Sequence, residues 1–167
     1  MTQKTATEKY MFLQTLNRES QTTLKILRAF PATKSDFKPH EKCRSAKELA
    51  WVFVQEQGMA DSALKGHIDF TRPRPPVPDN FAEIIAAFEK TCRETADKVA
   101  RSSDDDLGRA IQFPVGPGKM GDMRRMDVLW ASLMDQVHHR GQLSVYLRMV
   151  GAKVPSIYGP SGDEPWM

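Results

Sequence analysis

The sequence predicts an all-α protein, a four-helix bundle with a long crossover between its third and fourth helices. Three observations carry this. Apolar residues recur at helical spacing in four long stretches, period-two alternation is almost absent, and 167 residues suffice for one domain burying roughly two-thirds of its unfolded surface. The expected helices run over residues 5–28, 45–67, 79–102 and 123–150, with an extended tail over 152–167, all in a single domain spanning 1–167.

Helix one carries Met11, Phe12, Leu16, Leu24 and Leu27 as its packing residues. Helix two opens with Ser45-Ala46-Lys47-Glu48, a capping-box pattern in which hydroxyl and carboxylate each satisfy an orphaned backbone N–H, and it packs through Phe53, Met59 and Leu64. Four prolines between Arg72 and Asp79 exclude helix and mark a linker. Asp79 is then the expected N-cap of helix three, whose apolar stripe is Phe81, Ile84, Ile85 and Phe88. Glycines and prolines between Asp104 and Gly121 forbid a long regular element, so this segment reads as a crossover covering one end of the bundle. Helix four stops at Gly151, a C′ residue, and Pro155 prevents its resumption. The tail from Pro155 to Pro165 is expected to strap over the bundle surface.

Composition narrows the function classes. Cys43 and Cys92 stand apart, forming neither a CxxC pair nor a disulfide framework, which suits a reducing compartment. The opening Met1-Thr2-Gln3-Lys4-Thr5 has no apolar signal core and no 18-residue apolar run follows, so the expectation is a soluble, cytoplasmic protein without a membrane partner. A net charge of +3, with Arg72-Pro-Arg74 and Arg124-Arg125 as the densest basic spots, falls short of a phosphate-binding stripe. No nucleic-acid partner is expected. A GxSxG elbow, a phosphate-binding glycine loop and a dinucleotide fingerprint are all missing. His40 and His67 lack closely spaced partners and are not read as a metal pair.

On helix four, at 100° per residue, Val128, Ser132, Asp135, Gln142, Leu143, Tyr146 and Val150 fall within about 60° of His139. Asp135, His139 and Gln142 form a polar island in an otherwise core-like stripe. The i, i+4 pair Asp135 and His139 either ligates a divalent metal or forms an internal hydrogen bond that fixes the ring tautomer. The opposite side carries Trp130, Leu133, Met134, Val137, Gly141 and Val145. A helix apolar on two faces is buried twice, by the crossover and tail or, the favoured reading, by a second copy in a homodimer.

The stretch Asp135-Gln-Val-His-His139-Arg-Gly-Gln142 with Leu143 to Gly151 resembles the last-helix motif of the DinB superfamily. Phe37 to Trp51 is similar to that family's entry into helix two, and Pro155 to Glu164 to its tail, so the resemblance covers essentially the whole chain. It implies a bundle whose members often hold a divalent metal with three histidines, one in helix two and two at i, i+4 in helix four. Matched residue by residue, those positions are Val52, Asp135 and His139 here. Glu56, one turn beyond Val52 beside Gln55, could join Asp135 and His139 in a two-carboxylate, one-histidine set suited to manganese, iron, nickel or zinc.

Two functions follow. The favoured one is a divergent member with a degenerate metal site and no cofactor, using a pocket at Val52, Gln55, Gln142 and Tyr146 for a small molecule or serving as an interaction module. The alternative, implied by the resemblance, is a divalent-metal-dependent thiol transferase or hydrolase built on Asp135, His139 and Glu56.

Overall fold

The computed structural model describes residues 6–166. Its long helices are α1 (Glu8–Ala29), α2 (Ala46–Lys65) and α3 (Phe81–Arg101), followed by the short α4 (Asp104–Gly108), strands β1 (Ala110–Gly116) and β2 (Lys119–Arg124), and α5 (Arg125–Met149). The all-α expectation holds, with the predicted fourth helix realised as α5. The expected first-helix start at Thr5 lies outside the described residues, and α1 begins at Glu8 behind the N-cap Thr7.

The caps explain the boundaries. Ser45 accepts from the Glu48 N–H at 3.3 Å while Glu48 accepts from the Ser45 N–H at 2.6 Å, so the predicted capping box is complete. Asp79 does not cap α3. Asn80 does, accepting from the Ala82 N–H at 3.0 Å, while Asp79 pairs with Lys47 instead. Gly151, with φ of 76°, and the bond from the Ala152 N–H to the Leu147 carbonyl at 3.0 Å close α5 as a Schellman motif.

The crossover is more regular than its glycines and prolines suggest. It holds α4 and an antiparallel hairpin whose register pairs Ala110 with Arg124 and Gly116 with Lys119. Pro117 and Gly118 make its turn, and Gly118 takes the positive φ of 66° that a second central turn residue needs. The alternation behind it, Ile111 and Phe113 inward, spans too few residues to stand out, and a register shift before Gly116 interrupts it. Ile111 joins Ala63, Ile68 and Val128 in a small apolar cluster, so the hairpin covers one end of the bundle.

Helices α3 and α5 each lie against both α1 and α2. The core divides into two apolar clusters. One gathers Leu27, Phe30, Phe53, Ile84, Phe88 and Leu147, and the other Phe12, Leu16, Val99, Leu129 and Leu133. Between them lies a buried polar layer. Gln57 donates to Gln136 at 3.1 Å, Gln136 donates to Thr23 at 3.1 Å, and Arg140 donates to the Glu19 carboxylate at 2.7 Å. Arg140 and Glu19 are 1% and 2% exposed, so the ion pair is desolvated, and its cost is offset by the hydrogen bonds each makes to the other and to Tyr158. Burial pushes the Glu19 carboxyl up, yet hydrogen bonds from Tyr158, Arg140 and Arg18 outweigh it and hold it below the usual carboxylate range.

Tyr158 belongs to the tail. Its hydroxyl donates to Glu19 at 2.6 Å, Arg140 donates to it in turn, and Lys25 pairs with Glu164 at 2.6 Å. The tail is therefore strapped across α1 and α5, as expected. Among the described residues, no helix is long and apolar enough to cross a membrane.

Candidate functional site

Residues 52, 55, 56 and 59 share one face of α2 by helical spacing, and that face looks toward α5. Val52, Gln55, Glu56 and Met59 line a cavity of about 610 Å³, closed on other sides by Thr91 and Thr95 of α3 and by Asp135 and His139 of α5. The proline-rich segment after α2 supplies a further wall through Phe70, Arg72, Arg74 and Pro75, and the Trp51 Nε1–H donates to the Pro75 carbonyl at 3.1 Å. What composition marks as a linker is thus pinned as part of the pocket. The volume lies in the range of small-molecule sites.

One edge of the cavity is ionisable. His139 Nε2 stands 3.2 Å from Asp135 Oδ2, the pairing that the i, i+4 spacing predicts. His139 Nδ1 meets Gln142 Oε1 at 2.8 Å, and the Gln142 amide nitrogen reaches His138 Nε2 at 3.0 Å. Glu56 faces Asp135 and Ser132 across the helix pair. Burial first, and the neighbouring Asp135 charge second, push the Glu56 carboxyl up to about 7, while Ser132 and Arg74 pull the other way. The Asp135 charge beside it thus favours a protonated Glu56 carboxyl.

Of the residues singled out from the sequence, Val52, Gln55, Glu56, Asp135 and His139 all line the cavity. Gln142 and Tyr146 do not. Three residues beyond His139, Gln142 turns to the exposed flank and bridges the two histidines, while Tyr146 is buried, donates to the Arg44 carbonyl at 3.2 Å and packs edge-on against Phe37. Trp51, Thr95 and Arg74 were not anticipated. Thr95, one turn beyond Thr91 on α3, carries the signal that could have found it. His40 is occupied locally, accepting from the Lys42 N–H at 3.1 Å.

The metal set implied by resemblance fits poorly. Val52 brings no donor atom, and Asp135 and His139 are engaged with each other at 3.2 Å. Among the described residues, no group of three His, Cys, Asp or Glu side chains is disposed to hold a metal ion. Of the two thiols, Cys92 is buried and pushed up to about 12 by that burial, while Cys43 is half-buried beside the Tyr146 hydroxyl.

Comparison with known proteins agrees with this architecture. The model of the DinB family matches residues 1–166. The uncharacterized protein YrdA of Bacillus subtilis (strain 168) is 26% identical over 158 residues, covering 92% of this chain and 89% of YrdA. A DinB-like protein from Bacillus cereus ATCC 10987 superimposes with a TM-score of 0.74 at 24% identity, over 88% of this chain and 95% of that one. A DinB-like protein from Bacillus subtilis, YjoA, gives a TM-score of 0.71 at 17% identity, over 88% and 97%.

Proposed function

The chain belongs to the DinB family, and from that premise we propose that it is a metal-independent bundle that binds a small molecule between α2, α3 and α5. One observation carries the reading: Glu56, its carboxyl raised to about 7 by burial and by the neighbouring Asp135, stands on the wall of a cavity of about 610 Å³. A carboxyl poised there donates or accepts a hydrogen bond at neutral pH, which suits a polar group on a ligand whose apolar body packs on Val52, Met59 and Phe70.

Ligand-observed NMR with a library of small fragments tests it. Fragments should bind the parent protein and be lost in Gly58→Phe, a substitution on the cavity wall whose Cβ would meet nothing within 4 Å. If the same fragments bind both proteins, the cavity is not the site.

A second reading, a divalent metal held by Asp135, His139 and Glu56 for thiol transfer or hydrolysis, is favoured only by the adjacency of those three side chains. Mass spectrometry of the untagged protein after loading with manganese, iron(II), nickel and zinc separates the two. Stoichiometric metal that disappears in Asp135→Ala and in Glu56→Ala would establish the second reading over the first.

The assembly proposed with this site is a homodimer through α5. Its support is the exposed stripe of Met134, Val145 and Met149, at 54%, 57% and 54% exposure, beside Gly141.

A further inference from the structure

The mouth of the cavity carries four basic side chains against one carboxylate, Glu48. Arg44, Gln55 and Arg74 line not only the main cavity but also an adjoining hollow of about 370 Å³, into which Lys38 and Lys42 are also drawn. Lys38 faces Glu48 at 3.7 Å. Arg44, Arg74 and Lys42 make no ion pair among the described residues, whereas Arg148, Arg124 and Lys47 each hold carboxylates at 2.5–3.0 Å.

Both arginines stand on anchored backbone. Arg74 lies between Pro73 and Pro75, whose rings restrict the chain, and the Pro75 carbonyl is held by Trp51. Arg44 precedes the N-cap Ser45, and its carbonyl accepts from the Tyr146 hydroxyl. Two guanidinium groups carried on anchored main chain at the rim of a concave site suit an oxyanion, which the planar fork of arginine matches in geometry.

We propose that the ligand is an anion, a small carboxylate with an apolar body, its carboxylate held by Arg44 and Arg74 with Lys42 nearby. The body enters the main cavity against Trp51 and Val52, and its far end meets Glu56 and Asp135. Basic side chains thereby stand at the mouth and the Glu56 and Asp135 carboxyls at the floor, which sets the orientation of the bound molecule. This inference rests on the small-molecule reading above and adds the ligand's charge and polarity.

Benzoate and benzamide, alike in shape and differing in charge, test it by titration into ¹⁵N-labelled protein. The indole N–H of Trp51 reports the cavity and the Nε–H signals of Arg44 and Arg74 report the mouth. Benzoate should shift all three and bind about five- to tenfold more tightly than benzamide, a preference that Arg44→Gln with Arg74→Gln abolishes while benzamide affinity stays unchanged. Equal affinity of the two probes, or a benzoate preference that survives the double substitution, would overturn the anion inference and leave the cavity standing. If neither probe moves the Trp51 indole signal, the small-molecule reading itself fails and this inference falls with it.

Discussion

Glu56 raises a question of sign at the scale of one residue. Its carboxyl titrates near 7 in the folded chain against an ordinary value of 4.5, because burial and the Asp135 charge both penalise the anion. The unfolded chain releases the proton from about pH 4.5 upward while the folded one retains it, so this site contributes a loss of stability as pH rises from about 4.5 to 7. Glu56→Gln removes the penalty. It should match the parent near pH 4.5 and exceed it by about 1–2 kcal/mol at pH 8, a figure below the full linkage value because the carboxyl is only half-buried. Urea unfolding across that pH range checks it, and a pH-independent gap between the two proteins would contradict it. Arg140 makes the opposite case. In the stretch His138-His139-Arg140-Gly141-Gln142 it reads as part of a functional signature, yet it is buried against Glu19, Thr23 and Tyr158, outside the lining of the α2, α3 and α5 cavity. Arg140→Ala should cost about 3–5 kcal/mol by stranding the Glu19 carboxylate, and Glu19→Met with Arg140→Leu should recover most of that in urea unfolding. A small loss in the single variant would mean that water reaches Glu19.

At the scale of elements, what could be read from the sequence divides along the range of the interactions involved. Ser45 and Glu48, or Gly151 and Pro155, act on backbone groups a few residues away, and those helix ends fall where local chemistry puts them. The hairpin was illegible because only Ile111 is buried along β1 and its contacts, Ala63 and Val128, are remote in the chain. Likewise Asp135 and His139 follow from i, i+4 spacing, whereas the pocket wall at Phe70 to Pro75 depends on Trp51 catching a carbonyl 24 residues away. The end of α2 offers a quantitative check on local reasoning. Gly66 has φ of 87°, and a Cβ there would come within 2.5 Å of Arg125 Nη2, the guanidinium that also donates to the Leu64 carbonyl. Gly66→Ala should therefore cost about 1–2 kcal/mol, from backbone strain and a displaced arginine together. Gly58→Ala, mid-helix in open space, should instead stabilise by about 0.5–1 kcal/mol. Thermal unfolding of the two variants in parallel distinguishes the effects, and equal shifts of the same sign would refute the assignment of strain to Gly66.

For the whole molecule, the periodicity of α5 raises the question of what its second apolar face meets. That face is narrower than its sequence implies: Leu133 is in the core, and Trp130 is half-buried with its ring edge-on to Phe12 at 5.0 Å. What remains outward is Met134, Val145 and Met149, with Gly141 among them and nothing within 4 Å of where its Cβ would stand. The tail and hairpin, which could have covered this stripe, leave it exposed, the tail being held by Glu19 and Lys25 of α1 and by Arg140 and Arg148 of α5, and the hairpin by Ala63 and Val128. A second copy of α5 is then the occupant that matches in length and apolar pattern, and Gly141 lets two helix backbones approach closely. Light scattering at micromolar concentration should give twice the chain mass of 18.9 kDa. Val145→Glu with Met134→Glu, both on exposed positions, should return the mass to one chain without lowering the unfolding midpoint measured at dilution, because neither side chain contributes to the monomer core. A parent protein that stays monomeric through that range would remove the interface. The stripe would then be surface, and the α2, α3 and α5 pocket would function within a single chain.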